Sequence, residues 1–137
     1  MSVFQRSVAG TVRNRLREAA RTFSGEPPTP EAIQLQLELV LKARKELAGG
    51  QADLLRLLGP GAVADALGDP ERIAAYAESL AVEALVNDVA GHQERAAAMR
   101  KQAVAIAREL RRHATTPDPA IEQLIARDGH PEIDGAQ

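Results

Sequence analysis

Asp88 and His92 stand four residues apart, with Glu94 close behind. On a helix that spacing sets a carboxylate and an imidazole on one face, where they could share a metal ion. A di-iron bundle needs more: a Glu-x-x-His on each of two helices and two further glutamates. No Glu-x-x-His occurs in this sequence. The residues therefore predict a polar histidine set in an apolar helical seam, fixing register or partner, with no metal and no cofactor.

Glu78, Glu83 and Asp88 form a second group of chemistry-bearing residues. Helical nucleotide pyrophosphohydrolases hold Mg²⁺ with acids on neighbouring helices, closely spaced glutamates on one and a Glu-x-x-Asp on the next. Here Glu38 and Glu46 on one segment and Glu83 and Asp88 on another have different spacings. A solvated acidic face is the expectation, and a Mg²⁺-dependent enzyme of that kind a third-ranked alternative. There is no cysteine, which excludes disulfides, thiolate metal sites and cysteine nucleophiles. No Gly-rich phosphate loop, nucleophile elbow or His-Glu-x-x-His is present. Nothing in these motifs gives catalysis positive support.

The seam itself is Leu85, Val89, His92, Ala96, Met99, Ala103, Ile106 and Leu110, in steps of four and three. That is a heptad pattern, and it predicts self-association or partner binding. Upstream, Ile73, Ala77, Leu80 and Ala84 follow a different stripe. The run that carries both begins at Asp69-Pro70, a good N-cap followed by a good first helical residue, and meets no proline before about His113. At about 1.5 Å per residue, residues 70–113 would make a helix of roughly 65 Å. A compact domain of this size has a radius of gyration of only about 14–15 Å. Such a helix either projects to meet a partner or bends at Gly91.

Other elements follow from local signals. Phe4, Val8, Val12, Leu16, Ala20 and Phe23 mark one face of a first helix. The stretch SGEPPTP breaks it. Thr29-Pro30 opens a second helix, to about Ala48, with Ile33, Leu37, Val40, Leu41 and Leu47 on its apolar side. Leu35 and Leu39 widen that stripe, so deep burial is expected. QADLLRLL is a short helix stopped by Gly59-Pro60-Gly61, and Ala120–Arg127 another. Alanine and leucine dominate, with only Phe4, Phe23 and Tyr76 as aromatics, which suits helix packing rather than a sheet. The fold class is all-α: a helical bundle with one long helix at about 70–113, oligomeric through its seam. The expected division is a basic N-terminal helix (1–25), a helical bundle (29–128) and a flexible tail (129–137).

Charge is distributed in blocks. Residues 1–25 carry five arginines against Glu18, and residues 61–94 seven acids against Arg72. Residues 95–113 are basic again, and the tail is acidic. Blocks of opposite sign favour packing between segments or self-association. Arg6, Arg13, Arg17 and Arg21 flank the first helix's apolar face and are candidates for an acidic surface: an anionic membrane, nucleic acid, or the protein's own acidic segment. The opening MSVFQR, its amphipathic helix, the proline-containing break and the long helix after it resemble the start of the phage-shock membrane-remodelling proteins. That resemblance covers about the first 45 residues and implies a membrane-binding N-terminal helix. The Gly59-Pro60-Gly61 break departs from that family's long hairpin.

Neither a run of about 18 apolar residues nor a secretory signal is present, and a cytoplasmic location is expected. The sequence thus predicts a non-catalytic self-association or interaction protein, a dimer first. An unidentified protein partner and a nucleic-acid-binding regulatory role are the alternatives.

Overall fold

The computed structural model describes residues 2–22, with side chains from Val8 to Arg21, and residues 28–129. Arg6, Phe4, Phe23 and most of the expected tail (130–137) lie outside the described side chains. The elements are α1 (Ser2–Thr22), α2 (Pro30–Ala48), a 3₁₀ turn (Gly49–Gln51), α3 (Ala52–Leu55), α4 (Pro60–Leu67), α5 (Pro70–Val89), α6 (Gln93–His113) and α7 (Pro119–Asp128). Helices are the only regular structure among the described residues, so the chain is all-α.

Three helices start in the same way. Thr29 Oγ1 accepts the Ala32 N–H, and the Asp69 carboxylate accepts the Glu71 N–H. The Asp118 carboxylate accepts from both Ala120 and Ile121. A proline follows each cap, where its missing N–H and fixed φ cost nothing.

The run from 70 to 113 is two helices rather than one. The chain turns at Ala90–His92, with Gly91 at φ +89°. Its amides are satisfied locally: Gly91 N–H donates to Asp88 O at 3.0 Å and His92 N–H to Asn87 O at 2.8 Å. The physical reason lies in the apolar surface on either side. Folding back lets α5 and α6 bury their faces on each other, whereas a straight helix would leave both to water.

Helix α5 is the centre of the bundle. It packs against α6 above all, and also against α1, α2, α4 and α7. Ile73, Ala74, Ala75, Tyr76, Ala77, Leu80, Ala84 and Val86 are all buried along it. Alanine on so many positions lets the surrounding helices approach closely. Helix α1 lays Ala9, Val12, Leu16 and Ala19 inward, and contacts α5 and α2. The apolar face expected for the first helix is therefore used inside the chain over its described side chains. No helix among the described residues is long and apolar enough to cross a membrane.

Candidate functional site

The acids of α5 are not a solvated face. Each meets an arginine from a different helix. Glu78 accepts Arg13 Nε at 2.7 Å and Nη2 at 3.3 Å, with Arg17 Nη2 at 3.6 Å. Glu83 lies 2.5 Å from Arg44 of α2, and Asp88 2.5 Å from Arg100 of α6. A cation entering this helix's surface would have to displace a guanidinium at each carboxylate. No group of three or more His, Asp or Glu among the described residues is arranged to hold a metal.

Arg13 is the most heavily used of these. It is 6% exposed, and its fork reaches Glu78 and Glu71 on α5 and Asp118 at the head of α7. Burial by itself would lower its pKa. The hydrogen bonds to Asp118 and Glu78 outweigh that and hold it above the ordinary arginine value. Burial would likewise raise Asp118, but Arg13's hydrogen bonds and charge prevail and hold its carboxyl below the usual range. Arg13 thus does not stand in a solvent-facing basic row. Arg17 and Arg21 are exposed on α1, and the Arg6 side chain lies outside the described residues.

Arg44 is 2% exposed, inside the bundle. Its Nε donates to Ser79 Oγ at 3.1 Å, and Nη2 to the Ser79 carbonyl at 3.3 Å. Its guanidinium carbon sits 5.8 Å from the centroid of the Tyr76 ring, near enough for a cation–π contact. Glu83 Oε1 is close to Nη2 yet makes no aligned hydrogen bond, so the pair is held by charge rather than by directed bonding. Burial pushes the Tyr76 hydroxyl's pKa up, against the opposing effect of Arg44. The sequence reading missed Arg44. Its signal was register: Ile33, Leu37, Val40, Arg44 and Leu47 step by four and three, which puts the arginine on α2's inner stripe.

The seam residues divide. Ala96, Met99, Ala103, Ile106 and Leu110 are buried within the chain, where α6 meets α5, α4 and α7. Leu85 and Val89 are half-buried. Leu85 lines a groove of about 480 Å³ with Leu16, Ala20, Ala81, Val82 and Leu124 along its floor. His92 leaves the seam altogether. It is exposed at the N-cap of α6, because the turn at Gly91 interrupts the helix that would have aligned it. Its expected partner Asp88 is taken by Arg100.

Among the described residues, the exposed large hydrophobic side chains lie on α2, on α3 and in the turn after α3. Leu35, Leu39 and Leu41 are 54%, 47% and 42% exposed, and Leu54 and Leu57 are 55% and 83% exposed. The deep burial expected for Leu35 and Leu39 is corrected here. Helix α2 turns Val40, Ala43, Arg44 and Leu47 inward, and at about 100° per residue Leu35 and Leu39 fall well outside that face. A groove of about 330 Å³ between α1 and α2 runs beside Leu39, with Arg15 and Lys42 at its edge.

No family model, no curated protein and no solved structure matches this chain.

Proposed function

We propose that this protein works by association with another protein surface rather than by catalysis, and that it docks through the leucines of α2 and α3. The observation that carries this is the exposure of Leu35, Leu39, Leu41, Leu54 and Leu57. A single exposed leucine needs no explanation, but Leu35 and Leu39 stand together on one side of α2, and Leu54 on α3 and Leu57 in the turn after it are exposed as well, with Leu41 on the other side of α2. The charged residues that could have served chemistry support the same reading. Glu78, Glu83 and Asp88 are each engaged by an arginine of the chain itself. The heptad residues on α6 contribute to the body that presents α2 rather than to the contact.

The test is the native mass of the tagged chain in an extract of cells that make it. The unaltered chain elutes above its own 14.6 kDa. A chain carrying Leu35→Glu and Leu39→Glu elutes at its own mass while keeping its helical circular dichroism. Equal elution of the two at the mass of a single chain would refute the reading.

A further inference from the structure

The direction opposite α2's buried face is a ridge of charge. At about 100° per residue, Glu31, Glu38, Lys42 and Lys45 fall within one narrow sector, and all four are exposed. Leu35 and Leu39 lie together on one shoulder of that ridge. The charges are sorted along the helix: both acids stand in its N-terminal half and both lysines in its C-terminal half. Glu46, the acid that breaks the sorting, is engaged by Arg15 of α1 at 3.2 Å.

We infer that the partner for this shoulder is a second copy of the chain, with the two α2 helices antiparallel about a two-fold axis. This rests on the docking surface proposed above and adds its occupant. Two helices packed through Leu35 and Leu39 each carry their charged ridge on one flank only. An antiparallel two-fold leaves both ridges on the same side of the pair. With the axis at the midpoint of Leu35 and Leu39, Glu31 of one copy runs beside Lys42 and Lys45 of the other, twice over by symmetry, while the two Glu38 positions lie near the axis. A parallel two-fold sends the ridges to opposite sides, where neither meets the other. The surface is thus self-complementary in one orientation, as an isologous contact requires. Charge sorting of this kind fixes partner and direction more than it adds affinity.

Purified chain alone decides the matter, read by light scattering. The unaltered chain has the mass of two copies. A chain with Glu31→Lys and Glu38→Lys, and another with Lys42→Glu and Lys45→Glu, each dissociate about tenfold more readily or worse, because like charges now run side by side. An equimolar mixture of the two recovers the dimer. Because the protein has no cysteine, single cysteines report direction. Chains with Glu31→Cys and with Lys45→Cys cross-link to each other on oxidation, and neither does so with itself. A purified chain of single mass whose mass is raised in cell extract would overturn self-pairing and leave association with a different partner standing. A dimer indifferent to the charge changes, or cross-linking of Glu31→Cys with itself, would overturn the antiparallel arrangement.

Discussion

Arg13 and Asp118 are 105 residues apart in sequence and joined by two parallel hydrogen bonds, Nη1 to Oδ2 and Nη2 to Oδ1, each 3.0 Å. Asp118 also caps α7 through the Ala120 and Ile121 amides. One carboxylate therefore both starts the last helix and fastens it to the first. The same guanidinium holds Glu71 and Glu78, so α1, α5 and α7 share a single knot of charge.

Removing the guanidinium leaves three acids crowded without a counter-charge. Arg13→Met is expected to lower unfolding free energy by about 3 kcal/mol, in the range for loss of one partner from a buried pair. Arg13→Lys is expected to recover only part, because an ammonium cannot make the two-pronged contact. Urea unfolding followed by circular dichroism measures both. A change within about 0.5 kcal/mol in Arg13→Met, typical of surface substitutions, would show that the knot contributes little.

Acid should loosen the same knot. Asp118 has a lowered pKa when folded, so between the folded value and the unfolded one of about 3.9 the unfolded chain binds the proton first. Its stabilising contribution is complete above the unfolded value and is lost as pH falls through the folded one. Asp118→Asn keeps an N-capping side chain but has no charge to titrate. Unfolding measured against pH should show the wild type losing stability more steeply than Asp118→Asn below about pH 4. Parallel curves there would remove Asp118 from the acid response.

The Arg44–Glu83 pair makes a different prediction, because both partners are buried. Arg44→Met or Glu83→Leu alone strands a charge inside the bundle, at an expected loss of about 3–5 kcal/mol. The double substitution strands none and is expected to lie closer to wild type than either single change. Thermal or urea unfolding of the four proteins gives the coupling directly. Additive losses would mean that the two charges do not depend on each other.

Tyr76 offers an optical check on the same region, being the only tyrosine in a chain without tryptophan. Its pKa is raised in the folded protein, so the unfolded chain gives up the proton first as pH rises. The stability tied to the neutral phenol is whole below about pH 10, the unfolded value, and falls above it. Tyrosinate absorbance should therefore rise together with the loss of helical signal in an alkaline titration. Ionisation near pH 10 in a chain that stays helical would place the hydroxyl in contact with water.

Local features of this fold were legible and distant ones were not. Thr29-Pro30 and Asp69-Pro70 announce their helices because a cap and a proline act within three residues. Gly49 and the 59–61 break stop theirs for equally local reasons. The engagement of Glu78 by Arg13 depends on helices that meet only in the folded chain, 65 residues apart, and no periodicity records it. The heptad spacing on α6 predicted a seam for another chain, and Ala96, Met99, Ala103, Ile106 and Leu110 of that seam are buried within this one. Spacing does not say whether such a stripe meets its own chain or another. The same ambiguity led α2 to be read as a well-buried helix with Leu35 and Leu39 widening its stripe, since apolar residues four apart look alike on an inner face and on an outer shoulder.

Gly91 is where the sequence could have gone either way. A β-carbon there would meet nothing within 4 Å, so the site is not crowded, but φ +89° is a conformation that L residues avoid. Alanine would strain the turn and at the same time favour helix through it. Gly91→Ala is expected to cost the hairpin about 1 kcal/mol or more. With α5 and α6 continuous, each chain would lend its α6 to the α5 of another, and the hairpin contacts would re-form between copies. The test belongs on the Leu35→Glu/Leu39→Glu background, where the α2 contact is removed. There, adding Gly91→Ala should double the solution mass with helical content unchanged. A chain that keeps the single mass and the parent's stability would show that the turn does not depend on glycine.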